Sequence, residues 1–334
     1  MPYISNMVAD LKYAKNEFPT IIVNDGSITT IEQANSWISE NLVALEKELS
    51  CTGALLFRGF PVVDAQTYDS FFSAFEYANF TYKESLSNAV RINYTEYVFT
   101  ANEAPKDVEI YLHNEMAQTP LYPGRISLFC ENTADQGGET VICRSDSIYE
   151  KLVAVEPELT HKLEEVGIKY TTSMPSEDRP ESGQGRSWKS TLTVETVAEA
   201  EDKLGKLGYS WQWAEDGTLQ AQTSALPAIR TLEGNRKVFF NQIIAAYMGW
   251  SGVKDNPAKA LCFGDDSEFT QQYLNTIVEI AESLSYNIGW QDGDVALVDN
   301  NLAMHGRRPY SGERKRKVLV VLGTATTQQT YTNI

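Results

Sequence analysis

The chain is poor in histidine, in closely spaced cysteines, in long apolar runs and in positive charge, and each shortage excludes something. Its four cysteines, Cys51, Cys130, Cys143 and Cys262, form no close pair. That spacing argues against a disulfide framework or a thiolate zinc cluster, and fits reduced, mostly buried thiols in a cytoplasmic protein. No apolar stretch is long enough to span a bilayer, so no membrane partner is expected. The N-terminus, Met1-Pro-Tyr-Ile-Ser-Asn, has neither a basic start nor a following apolar run, so no signal peptide is expected. Only 28 Lys and Arg stand against 45 Asp and Glu, for a formal net charge of −17. A nucleic-acid partner would call for a basic face, so none is expected. No glycine-rich loop joins a strand to a helix, which removes the usual mark of a dinucleotide-binding sheet. Nothing in the sequence speaks to oligomeric state.

What is present is an ordinary globular composition, 42% apolar and 22% charged over 334 residues, with ample length for a sizeable core. Ile31, Ala34, Trp37, Ile38, Leu42, Leu45 and Leu49 recur at helical spacing and predict a helix over 31–49, with Thr29 and Glu32 as its capping box. A buried strand follows from Gly53, then a helix over 66–78. Strands are expected at Ile126–Glu131 and Glu139–Cys143, joined as a plain hairpin through the turn glycines Gly137 and Gly138. Residues 145–166 read as helical with a break at Pro157, and 267–285 as a further helix. Residues 209–213 and 237–242 read as strands, and Asp294–Asp299 and Lys317–Leu322 as core strands flanking His305. Many short strands with turn signals, plus helices in clusters, predict a mixed α+β chain: a β-sandwich or jelly roll with flanking and inserted helices.

Only three histidines occur. His161 lies in a polar helical run, where a histidine is more often a surface residue than a ligand. His113 and Glu115 differ. If Tyr111–Met116 is a strand or strand end, period-two alternation turns both side chains to one face. His305, far downstream in Leu-Ala-Met-His-Gly-Arg-Arg, would supply a second imidazole. Two histidines and one carboxylate make a facial triad that holds Fe(II) and leaves the opposite positions open. His-X-Glu alone is weak, because short motifs match by chance. Since both halves of the chain must build one site, the Pro-, Ser- and Gly-rich segment from Met174 reads as a flap or insert, around 174–215, within a single domain spanning 1–334.

Segments in a fixed order carry a resemblance over nearly the full length. They are Ala54-Leu-Leu-Phe-Arg-Gly-Phe-Pro, Phe99-Thr-Ala-Asn-Glu-Ala-Pro, His113-Asn-Glu-Met-Ala-Gln, Gly137-Gly-Glu-Thr, Gly185-Arg-Ser-Trp-Lys-Ser, Trp290-Gln-Asp-Gly-Asp-Val, and Asp299-Asn through His305-Gly-Arg-Arg-Pro-Tyr. With these the chain resembles the taurine dioxygenase and clavaminate synthase-like group of Fe(II)/2-oxoglutarate oxygenases. Within that group it looks similar to the subgroup of the syringomycin-pathway hydroxylase and plant clavaminate synthase-like proteins. The resemblance implies a double-stranded β-helix (jelly-roll) core and Fe(II), 2-oxoglutarate and O2 as cofactor and co-substrates. It makes His113, Glu115 and His305 the iron ligands. A carboxylate at position 115 implies oxygenation, since halogenating relatives lack it.

The resemblance also implies that Thr140 hydrogen-bonds a 2-oxoglutarate carboxylate and that an arginine anchors the far one. A guanidinium offers a planar bidentate match for such a group. Both Arg314 and Arg316 are open, and counting back from the strand Val318–Leu322 favours Arg316. Asn102, Trp188, Lys189 and Asn241 lie in family-like segments as substrate or pocket candidates. Asp299, Asn300, Arg307 and Arg308 are candidates for orienting ligands, supporting the turn or reaching substrate. The expected reaction is hydroxylation of an unactivated C–H in an amino-acid-like or natural-product small molecule, free or carrier-tethered, with release of succinate and CO2. Two rivals stay open at this point. A zinc-dependent hydrolase would use the same ligands, and a non-catalytic cupin-like binding protein would use them structurally or not at all.

Overall fold

The structure, a computed structural model, describes residues 3–5, 18–80, 86, 92–101, 104–179 and 185–324. Asn102 therefore lies outside the described residues. Four layers stack as helix, sheet, sheet, helix, and the alternation of side chains along the strands assigns each residue to its layer.

The large sheet has eight strands, ordered Tyr3–Ser5, Thr20–Val23, Ala54–Arg58, Val295–Asp299, Arg125–Asn132, Lys317–Thr324 and Ala78–Asn79, with Phe99–Thr100 also paired to Lys317–Thr324. Its central strands are apolar at almost every position because both faces are buried. Leu55, Phe57, Phe129, Leu297, Leu319 and Val321 face the N-terminal helices. Their neighbours Ala54, Leu56, Ile126, Leu128, Val298, Val318, Val320 and Leu322 face the second sheet. That second sheet is antiparallel, ordered Tyr286–Ile288, Thr140–Arg144, Ala303–Arg307 and Ile110–His113. It sends Ile142, Ile288 and Ala303 inward, and Leu112, Val141, Cys143 and Met304 outward against the helices Ser145–Val155, Pro157–Val166, Ile243–Gly249 and Gln271–Leu284. A third sheet of Ser210–Trp213, Leu219–Gln222, Ile168–Met174 and Leu261–Phe263 stands beside this core. No helix among the described residues is long and apolar enough to cross a membrane.

The first long helix runs Ile31–Thr52, one turn past the expected end, and buries Ala34, Ile38, Leu45 and Leu49 on one face. Its capping box is Thr30 with Gln33, not Thr29 with Glu32. Adjacent pairs of suitable residues make the two registers equal in sequence, and the face that must meet the sheet selects one. Gly53, at φ +91°, ends the helix with its N–H on the Leu49 carbonyl. The next helix is shorter than expected, Ala65–Ser73, and starts with its own box of Asp64 and Thr67. Pro157 occupies the first turn of the second helix of the pair over 145–166, where its missing N–H has no cost.

The plain hairpin expected through Gly137 and Gly138 does not form. Arg125–Asn132 pairs with Val295–Asp299 and Lys317–Thr324 in the large sheet. Thr140–Arg144 pairs with Tyr286–Ile288 and Ala303–Arg307 in the small one. Turn chemistry signals a reversal, but it does not say which sheet receives the next strand. The glycines serve the crossing: Gln136–Gly137 pairs with Tyr310–Ser311, and a Cβ on Gly137 would sit 2.4 Å from the Pro309 carbonyl oxygen.

Candidate metal centre and adjoining cavity

His113 ends the strand Ile110–His113, Glu115 follows in the turn, and His305 lies mid-strand in Ala303–Arg307. His305 and His113 are direct cross-strand partners, and their rings lie 4.4 Å apart. Glu115 Oε2 is 3.3 Å from His305 Nε2 and 3.8 Å from His113 Nε2. Each of the three residues offers one ligand atom, and these lie within 4.8 Å of one another. His113 Nδ1 donates to the Tyr111 carbonyl at 2.8 Å, which orients the ring with Nε2, the nitrogen that a metal would bind, toward Glu115. Burial alone would raise the Glu115 carboxyl. The hydrogen bonds and charges of His113 and His305 outweigh it and hold the group well below the usual carboxylate range. A buried carboxylate kept anionic between two imidazoles suits a divalent cation.

A lattice of buried amides holds this turn, although Glu115 is no longer in a strand. Asn300 Oδ1 accepts from the Glu115 N–H at 2.7 Å, while Asn300 Nδ2 donates to the carbonyls of Glu115 at 3.0 Å and Pro123 at 2.7 Å. Asn114 Nδ2 donates to the Asn300 carbonyl at 2.7 Å, and its Oδ1 accepts from the Asn241 N–H at 3.1 Å. Gln242 Nε2 donates to the Asn114 carbonyl at 3.1 Å. Asn114 and Gln242 were missed by sequence reasoning. As the middle letter of His-X-Glu, Asn114 carries no chemical signal, and its role depends on partners well over a hundred residues away.

The three ligand residues line a cavity between the sheets together with Thr140, Arg307 and Arg316, over an apolar wall that includes Ile126, Leu128, Val318, Val320 and Leu322. Arg316 immediately precedes the strand Lys317–Thr324, and its side chain lines the cavity beside Val318, Val320 and Leu322 of that strand. Arg316 Nε donates to the Gly138 carbonyl at 2.8 Å, and a Cβ on Gly138 would meet the Arg316 side chain at 2.9 Å. Among the described residues no carboxylate pairs with Arg316. Burial and the nearby Arg307 charge push its guanidinium down to about 10. A partly buried cation in net positive surroundings calls for an anion.

Arg314 is not brought into this cavity. Asp135 accepts from the backbone N–H groups of Glu313 and Arg314, and the Arg314 side chain bonds Thr133 and Asp292 at the surface. Arg307 lines the cavity while donating to the carbonyls of Ala104, Pro105 and Val108. Arg308 ion-pairs outside with Glu109 and Glu282. Asp299 pairs with Arg125 at 3.1 Å and caps its own turn through the Asn301 N–H. Asn241 is buried in the amide lattice rather than in the cavity wall. Trp188 lies in a separate cluster with Met174, Leu192 and Leu204, and Lys189 stands over its ring. His161 is exposed beside Glu165. One further residue emerges: Trp290 Nε1 donates to Thr140 Oγ1 at 3.1 Å, so the threonine's own proton is left for another acceptor.

A family model described as taurine catabolism dioxygenase TauD, TfdA family matches residues 26–322. A clavaminate synthase-like protein of Arabidopsis thaliana is 35% identical over 309 residues, which is 91% of this chain and 93% of that protein. The dapdiamide synthesis protein DdaC of Enterobacter agglomerans is 26% identical over 289 residues, 83% and 84% of the two chains. Among solved structures, AAD-2 in complex with Mn(II) and N-oxalylglycine shares the fold at a TM-score of 0.52, with 14% identity and 98% of each chain covered. With a family match spanning most of its length and a relative this similar along nearly all of it, the chain belongs to the taurine catabolism dioxygenase TauD, TfdA family of 2-oxoglutarate-dependent oxygenases.

Proposed function

We propose that His113, Glu115 and His305 hold Fe(II), that Arg316 and Thr140 hold 2-oxoglutarate, and that the enzyme hydroxylates an unactivated C–H of a small, amino-acid-like or natural-product molecule, free or carrier-tethered. The observation that carries this reading is one cavity joining a His-Glu-His cluster to a partly buried guanidinium that no carboxylate among the described residues pairs with. A metal chelate at one end and a carboxylate at the other is what a 2-oxo diacid demands. The AAD-2 complex, with a 2-oxo-acid analogue and a divalent metal, supports the pairing by likeness of fold. On this reading the two stacked sheets are the halves of a double-stranded β-helix, and the chain is a single oxygenase domain with residues around 174–215 as its insert. The free cysteines and the net charge of −17 support a cytoplasmic enzyme with a small-molecule substrate and no nucleic-acid partner.

Fe(II) held by His113, Glu115 and His305 would supply the oxidising chemistry that couples conversion of 2-oxoglutarate and O2 to succinate and CO2 with hydroxylation of the substrate. The residues do the rest. His113 from a strand end, Glu115 from the turn after it and His305 from the paired strand would hold the metal together. Arg316 fixes the far carboxylate by a fork braced on the Gly138 carbonyl. Thr140, accepting from Trp290, presents its hydroxyl proton as a donor. The apolar wall keeps water from the reacting carbon.

Adding Fe(II) and then 2-oxoglutarate to metal-free protein without oxygen should produce a weak visible charge-transfer band that requires both. The Glu115→Ala variant should lose it. A band that survives the substitution, or tight zinc binding with no band for iron, would exclude this site as drawn. The same titration tests Trp290. Trp290→Phe removes one neutral hydrogen bond, so the concentration of 2-oxoglutarate at half-saturation should rise by roughly three- to tenfold, with the amplitude retained. An unchanged titration would show that Trp290 does not orient Thr140.

A further inference from the structure

A second cavity adjoins the metal-binding turn, beneath the third sheet. Gln118, three residues after Glu115 in the same turn, lines it together with Thr191 and Tyr209 against an apolar backing that includes Met174, Leu204 and Trp250. Among the described residues that line it, none is charged. Two of the polar atoms contributed by these residues are buried without a hydrogen-bond partner among the described residues: Gln118 Oε1 and Thr191 Oγ1. Thr191 itself is only 3% exposed. Trp188, packed in the adjoining cluster, leaves its Nε1 without a partner as well. Buried polar groups are normally satisfied, and an orphaned acceptor beside an orphaned hydroxyl marks a place where a ligand or water completes the bonds.

We infer that this cavity takes the remote end of the substrate, and that this end is uncharged and of carboxamide type on an apolar body. The inference rests on the oxygenase reading for what happens at the near end, but its recognition chemistry stands by itself. Gln118 Oε1 can only accept, so it needs an N–H or O–H from the ligand. The hydroxyls of Thr191 and Tyr209 can donate to a carbonyl. A carboxamide offers both functions side by side. A carboxylate or an ammonium would enter without a counter-ion, and a charge buried without a partner is strongly disfavoured. The cavity therefore selects against acids and amines at this end. Because Glu115 and Gln118 share one turn, a group seated here is tied through the backbone to the metal ligand, and the substrate's reactive carbon is positioned from both ends of that turn.

The test uses saturation-transfer NMR on protein loaded with 2-oxoglutarate and diamagnetic Zn(II) in place of Fe(II), with isobutyramide and isobutyrate as matched probes at millimolar concentration. Isobutyramide should bind and isobutyrate should not. Thr191→Val keeps the shape and removes the hydroxyl, and should weaken isobutyramide about tenfold. Tyr209→Phe is a second, equally conservative variant and should also weaken it. Equal binding of both probes, binding unaffected in both variants, or no isobutyramide binding to wild type (as a cavity reserved for water would give) overturns the inference. 2-Oxoglutarate in the same samples reports separately on the first cavity and should bind alike in wild type and both variants. Its failure to bind wild type would remove the oxygenase assignment while leaving the amide result standing.

Discussion

Arg316→Gln is expected to abolish usable 2-oxoglutarate binding, while Arg314→Gln leaves it within about twofold of wild type. The two arginines are two positions apart, yet their surroundings differ in kind. Arg316 is partly buried, braced by the Gly138 carbonyl and paired with no carboxylate among the described residues. Removing one partner of such a charge pair costs about 2–5 kcal/mol, and at 1.4 kcal/mol per tenfold this means a loss of at least roughly 30-fold. Arg314 is 42% exposed and pairs with Asp292 at the surface, where an ion pair contributes about 0–1 kcal/mol. Arg316→Lys should fall between, because an ammonium keeps the charge and loses the planar fork. Anaerobic titration of the charge-transfer band in each variant measures this directly. Strong weakening by Arg314→Gln with Arg316→Gln unaffected would reverse the assignment.

Asn300→Ala is expected to be the most damaging substitution outside the ligands themselves. It leaves the Glu115 N–H, the Glu115 carbonyl and the Pro123 carbonyl without their side-chain partner in a fully buried setting. An orphaned buried group costs about 1–3 kcal/mol, so a loss on the order of 3–5 kcal/mol in folding stability follows from three groups with partial relaxation. Among the variants that still fold, metal affinity should drop by roughly 10- to 100-fold, because the turn that aims Glu115 is no longer clamped. Denaturant unfolding and a competitive metal titration give the two numbers. Wild-type metal affinity in a folded Asn300→Ala protein would show that the clamp is dispensable for the site.

Much of the core was legible because burial leaves a periodic trace. The helix at 31–52, the strands at 54–58, 125–132, 295–299 and 317–324, and the helix at 271–284 each announce themselves by apolar spacing. Their ends shift by a few residues where capping pairs are duplicated, as with Thr29 and Thr30. The hairpin at Gly137 and Gly138 was misread because a local turn signal cannot name the sheet in which the next strand pairs. Gly137 serves the crossing to Tyr310, and Gly138 serves Arg316, since its carbonyl holds the Arg316 Nε and its absent Cβ leaves room for that side chain. Asn114, Gln242 and Trp290 could not be singled out for a related reason. A buried amide or indole donor is identified by its partners, and these lie far away in sequence.

By itself the sequence marked the candidate metal ligands and the apolar faces that form the layers. Three histidines, one His-X-Glu and an arginine-rich entry to a core strand restrict what the chain can bind, and period-two and helical patterns divide its residues among four layers. Which residues meet was decided only by the tertiary structure. Cross-strand pairing sets His305 opposite His113, and Asp135 turns the backbone at Arg314 outward. The Gly138 carbonyl, brought in from another segment, holds Arg316 at the cavity. These are contacts between segments distant in the chain, and no local spacing encodes the register in which two sheets close on one another.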